Sequence, residues 1–275
     1  MATMQASVNK TIDARADASS RTWCAPPRKD PDQRCCCVHV DGPPPDRPDL
    51  AIYSQDEQFG MGTAPTWDSP DILTNLWAPF HLLPEVSVVV RNLSPTASAV
   101  NADVALYISS FGIGMPRSLL SSQRISLGPQ QQVSLLFPLS QAILNAAEQR
   151  IGTLVQITHP HDRNRINNVG GQHLADAYTS AAGRTFTVSF PVMNPLATAQ
   201  VISLSALSNQ LNAVVAPASR TFAPLEQALA TLTLQVPAAV HGTSAAPVRM
   251  DATVVGRSAD GSLLGGLTYV VFIDN

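Results

Sequence analysis

Apolar and polar positions alternate with period two through most of this chain, most clearly over residues 85–110. Val86, Val88 and Val90 alternate with Ser87, Val89 and Arg91, the pattern of a half-buried strand. A polar turn follows at residues 92–96, and Val104, Leu106 and Ile108 then alternate with Ala105 and Tyr107 as a second strand. Strands of this kind need a facing layer that buries their apolar sides. The same reading places strands at residues 50–54, 71–73, 125–127, 133–137 and 152–158, with 174–178 closing a first sandwich. Residues 55–69 read as a loop in which Asp56, Glu57 and Asp68, like Asp71, are solvated charges. Residues 140–150 read as a short helix with Ser140 as its N-cap, plugging one end of the sandwich.

A fresh strand series begins after Ala181-Ala182-Gly183. Phe186, Val188, Phe190 and Val192 alternate without a break, and Asn194-Pro195 turns the chain. Leu232, Leu234 and Val236 follow, then Val248, Met250, Ala252 and Val254, and last Leu267, Tyr269, Val271 and Ile273. Short strands at regular spacing, with turn signals between them, describe sandwiches. The expected fold is all-β: an extended arm over residues 1–48, a β-sandwich with one short helix over 49–181, and a second immunoglobulin- or fibronectin-like sandwich over 182–275.

The arm differs in kind. Pro26, Pro27, Pro31, Pro43, Pro44, Pro45 and Pro48 stand among charged residues, a composition that favours extended backbone and supplies no core. It holds all four cysteines of the protein, Cys24, Cys35, Cys36 and Cys37, with His39 just beyond. Three readings stand for them. Zinc would use thiolates and His39, but adjacent cysteines suit its tetrahedral geometry poorly. A disulfide, within the chain or between subunits, requires an oxidising compartment. Reduced thiols on an extended arm need neither.

Charged residues make up 13% of the chain, about half the usual share, which suits either a subunit buried in an assembly or a surface kept soluble by Ser, Thr, Asn and Gln. A net charge of −3, with no basic stripe, argues against a nucleic-acid partner. The N-terminus has no apolar signal core and no run is long enough to span a membrane, so synthesis in the cytoplasm is expected, with export lacking a cleavable signal left open.

The motifs of common enzymes are missing. There is no G-x-S-x-G elbow, and the glycines at Phe111-Gly112-Ile113-Gly114 fit neither phosphate-loop pattern, so that stretch is a turn. His159 and His161, with His173, contain enough nitrogen for a three-imidazole metal site, while Pro160, Asp162, Asn164, Asn167 and Asn168 read as a plain turn. Trp67 and Trp77 are the candidates for an aromatic sugar-binding platform, although Trp77 reads equally well as core. No cofactor is expected.

The stretches VSVVVRNLSPTASA, ADVALYIS and ISLGPQQQVSLLF resemble bacterial cell-adhesion-related (CARDB-like) immunoglobulin-type domains. Those have a strand ending in V-x-N-x-G and a later L-x-P-G-x-x turn. VQITHPHDRNRINNVG is similar to their closing strand and its Asp/Asn-rich loop. In the second half, FAPLEQALATLTLQVP is similar to the signature of NEW3-type or fibronectin-like modules. The resemblance runs from residue 48 to the C-terminus, with Pro95 and Leu225 where the family prefers glycine. It implies binding or spacer modules and carries over no catalytic residue. The expectation is a non-enzymatic structural or interaction protein, a homo- or hetero-oligomeric subunit docking through its arm and sheet edges. Residues 86–91 and the C-terminal strand are the acceptors considered for an added strand. The alternative is a carbohydrate-binding or adhesion module at a cell surface.

Overall fold

The computed structural model describes residues 46–77, 80–146, 150–240, 242–243 and 246–273. The expected arm before residue 46, with its cysteines and His39, lies outside the described residues. From Asp46 to Asn275 the chain is one compact unit. It is all-β, with four sheets arranged about two hydrophobic cores.

The first core lies between two sheets. One is built on β3 (Phe80–Asn92), which pairs on one side with β1 (Leu50–Ala51) and β2 (Ile72–Trp77), and on the other with β6 (Gln132–Pro138). The facing sheet runs in the order β5 (Arg117–Leu127), β4 (Ala99–Ser110), β7 (Ile151–Thr158), β8 (Val169–Gln172). Val86, Val88 and Val90 from one sheet meet Val104 and Leu106 from the other, all of them fully buried, so the period-two reading selects the correct faces. Helix α2 (Gln141–Ala146) follows β6, with the Ser140 hydroxyl accepting from the Ile143 amide; Ile143 and Leu144 pack on this core.

The second core lies between a three-stranded sheet, β10 (Thr185–Met193), β14 (Gln227–Gln235), β12 (Asn212–Ala216), and a five-stranded one. The latter runs β13 (Ser219–Phe222), β11 (Gln200–Leu207), β15 (Val248–Ser258), β16 (Leu263–Ile273), β9 (Leu174–Ser180). Phe190, Leu232, Val254, Leu267 and Tyr269 fill it.

Four expectations change. Strand β9 does not close the first sandwich; it pairs parallel with β16 and belongs to the second. Alternation names the buried face of a strand but not its neighbour, and a parallel partner about ninety residues downstream leaves no local signal. The 55–69 loop contains a helix, α1 (Gln55–Gly60), capped by the Ser54 hydroxyl. Asp71 is not solvated. It is 3% exposed, accepts from Nη1 and Nη2 of Arg91, both at 2.6 Å, and also accepts the Tyr53 amide. Finally, neither acceptor considered for an added strand is an edge. Residues 86–91 lie inside β3, with partners on both sides, and the C-terminal β16 lies between β15 and β9.

The cores are mortised together. The β4–β5 turn carries Ile113 out of the first sheet pair and into the second core, where it is fully buried. Gly112 and Gly114, at φ 138 and 74, supply the left-handed backbone this insertion needs. In the other direction, the segment before β2 covers the five-stranded sheet. The Trp67 amide donates to Thr268, and Arg257 stacks over Phe59 at 4.3 Å.

Candidate functional site

The histidine cluster resolves into two separate places. His159 and His161 are neighbours, with ring centroids 6.0 Å apart, and the His161 amide donates to His159 Nδ1. Around them the turn clasps the start of the body. Arg47 donates to the carbonyls of His161 and Asp162, and Asp162 accepts the amides of Leu50 and Asn164. Burial raises the Asp162 pKa against the pull of those hydrogen bonds. The turn reading therefore describes residues 159–168.

His173 does not join them. Its ring lies edge-on to Phe111 at 5.6 Å, and its Nε2 accepts the Gly112 amide at 3.3 Å. Burial, followed by the charge of Arg117, lowers its pKa to about 3. The imidazole is thus neutral and already used as an acceptor, which makes it a poor general base near neutral pH. Among the described residues no three His, Cys, Asp or Glu side chains group as metal ligands. The three-imidazole site is not formed.

His173 lines a cavity of about 100 Å³ between the cores, with Trp67, Gly152 and Arg117. Trp67 is 5% exposed, so it is not the open sugar platform considered from sequence. The indole is buried because Gly171 and Gly266 leave room for it: a Cβ on Gly266 would stand 2.5 Å from the ring. Trp77 ends β2, and its side chain lies outside the described residues.

A different feature is open to a partner. The three strands β10, β14 and β12 contain no charged residue. Their outward positions are Thr187, Ser189 and Pro191 on β10, paired with Thr233, Thr231 and Leu229 on β14, and then Val214 on β12. Leu229 is 69% exposed and Val214 58%. This charge-free face ends at β10, which has β14 on one side and is an edge on the other.

The direction of each β10 backbone group can be assigned. Arg184 O accepts from Val236 N and Asn194 N donates to Glu226 O, so even-numbered residues address β14. Pro191 O accepts from Ile113 N and Met193 N donates to Ile113 O, so odd-numbered residues address the free edge. Pro191 sits where its missing N–H would have faced outward, the position at which a strand tolerates proline. Ile113 covers only the Val192 end, as an isolated parallel bridge. The edge groups of Thr185, Thr187 and Ser189 extend beyond it. Grooves flank this edge at both ends, one of about 380 Å³ with Tyr178, Phe186 and Val188, the other of about 550 Å³ with Phe111, Pro116, Ile143 and Ser189. Sequence reasoning missed this site because alternation does not distinguish an edge strand from a central one.

No family model matches this chain, and no curated protein matches it. Among solved structures it is similar to a family 123 glycoside hydrolase from Clostridium perfringens, at TM-score 0.30 and 8% identity over 38% of this chain and 23% of that one. It is also similar to Escherichia coli alpha-2-macroglobulin, at 0.29 and 8% over 85% of this chain and 22% of that one. A third is the B domain of a biofilm associated protein, at 0.23 and 9% over 76% and 84%. The chain thus spans less than a quarter of the length of the first two. Among the described residues, no helix is long and apolar enough to cross a membrane.

Proposed function

We propose that the protein is a non-enzymatic structural subunit of a larger assembly, two immunoglobulin-like modules of the CARDB/NEW3 kind fixed as one body and docking through the N-terminal arm and a sheet edge. The observation that carries this reading is the charge-free face of β10, β14 and β12, which ends in a strand edge that, among the described residues, no other strand pairs and only Ile113 covers, at its Val192 end. Isolated folded proteins guard such edges with lysine, proline or a covering segment, because an open edge is a template for another chain. Strand β10 carries such guards at its Pro191–Val192 end, where Ile113 covers it, and none among the described residues from Thr185 to Ser189. Leu229 and Val214 add exposed apolar surface to this face, and exposed apolar surface of this kind favours contact with a partner. The modular reading rests on the asparagine-centred turns that the two halves share.

Light scattering on the full chain and on a variant beginning at Asp46, each with and without reductant, tests the proposal. A multi-subunit mass for the full chain that collapses when residues 1–45 are removed supports it, and a dependence on reductant would assign the cysteines to cross-links. A single-chain mass for the full protein under both conditions contradicts it.

A further inference from the structure

Given the assembly reading, on which this inference rests, we propose that the free edge of β10 is the acceptor and that residues 35–40 of a second copy of this chain are the added strand. The acceptor has three features in its favour. Its edge residues Thr185, Thr187 and Ser189 present N–H and C=O groups that no strand pairs among the described residues. It already accepts one residue of added backbone, Ile113, in parallel register at Val192. An incoming strand would continue that ladder toward Thr185 and run from one flanking groove into the other.

The occupant follows from what the arm contains. An added strand needs an N–H at every other residue, so it must be free of proline where it pairs. Residues 32–42 are such a window, bounded by Pro31 and Pro43. Inside it, Cys35-Cys36-Cys37-Val38-His39-Val40 is the most apolar proline-free stretch of the arm, and it carries no formal charge. Cys36, Val38 and Val40 fall on one face of an extended strand and Cys35, Cys37 and His39 on the other. Six residues span about 20 Å, which matches the six of β10 from Thr185 to Phe190. The segment and β10 itself are both without charge, while Arg184 and Arg150 line the two flanking grooves, and β-augmentation needs only this backbone match and alternate pockets.

The test uses full-length protein in reductant, so that thiol cross-links play no part. Thr187→Pro removes an outward N–H and blocks the edge while leaving the even-numbered ladder to β14 intact, as Pro191 already does in the same strand. The double substitution Val38→Pro/His39→Pro does the same to the donor strand whichever of its residues face β10, and both positions lie outside the Asp46–Asn275 unit. The expected result is association of the wild-type chain, and for each variant a fall to the mass of one chain, with thermal unfolding of the body unchanged for Val38→Pro/His39→Pro. Association that survives both substitutions overturns this assignment while leaving the assembly reading standing. A wild-type chain that is monomeric throughout, whether its edge is empty or filled by its own arm, overturns both.

Discussion

Asn92 and Asn194 occupy the same place in the two sandwiches. Asn92 Nδ2 donates to the carbonyls of Ala97 and Gly128, and Asn194 Nδ2 to those of Thr198 and Ala223. Asn92 Oδ1 accepts the Ser94 amide and Asn194 Oδ1 the Leu196 amide. The partner turns match as well. Gly128 N donates to the Gln131 side chain and Ala223 N to the Glu226 side chain, while Asn92 N and Asn194 N reach the carbonyls of Gln131 and Glu226. Each half is thus pinned by one buried carboxamide that ties the end of one strand to the turn before another.

Removing either pin leaves several buried backbone groups without a partner. Asn92→Ala and Asn194→Ala are each expected to cost about 2–4 kcal/mol. Because the cores are mortised into one unit, each variant should still unfold in a single transition at lower denaturant concentration. Chemical denaturation followed by tryptophan fluorescence and by circular dichroism checks this: two separated transitions would contradict the mortised body.

Gln130 and Leu225 hold equivalent turn positions, and both have φ of 55. A side chain in that region is strained where glycine is not. Leu225→Gly should therefore leave stability unchanged or raise it by up to about 1 kcal/mol. Leu229→Gly, at an exposed position inside β14, should lower it. Equal losses in both would show that the turn is unstrained.

The indole of Trp67 is packed between Gly171 and Gly266 against the five-stranded sheet. Trp67→Ala should cost about 3–5 kcal/mol, the range for emptying a large aromatic site. Gly266→Ala should also destabilise, since its Cβ would meet both the ring and the Val254 carbonyl at 2.6 Å or less. Melting temperatures of the two single variants and the double variant measure this. The Gly266→Ala penalty should shrink in the Trp67→Ala background, leaving only the carbonyl clash.

His173 predicts a pH dependence. Its folded pKa is about 3, below the ordinary histidine value near 6.5. Between those values the unfolded chain binds a proton that the folded protein excludes. Stability is therefore fully present above pH 6.5 and is lost as pH falls toward 3, by about 1.4 kcal/mol per unit. His173→Gln keeps an acceptor for the Gly112 amide and should flatten the dependence between pH 6 and 4 by one proton. An unchanged slope would mean that the imidazole titrates normally.

Much of the architecture was legible in the sequence, because side chains alternate across a strand and burial follows. Val86, Val88 and Val90, and Leu232 and Leu234, declared their faces directly. The asparagine-led turns were legible as spacing, V-x-N followed downstream by P-x-x, although Leu225 stands where glycine would advertise the backbone. What stayed hidden depends on partners distant in sequence. Leu174 gives no sign that it crosses to the second sandwich, and Trp67 none that glycines on two other strands make room for it. Asp71 looks like any loop acid until Arg91 is placed beside it. The β10 edge was hidden for the same reason, since Phe186, Val188 and Phe190 alternate just as a central strand would.

Amide hydrogen exchange resolved along β10 tests the account most directly. Full-length protein in reductant would be followed across a dilution series that spans its association. The amides of Val188 and Phe190, bonded to β14, should exchange slowly at every concentration. Those of Thr187 and Ser189 should exchange slowly in the assembled protein and rapidly once it is diluted to single chains. Rapid exchange at Thr187 and Ser189 in the assembled protein would show that the β10 edge stays open and would contradict the account.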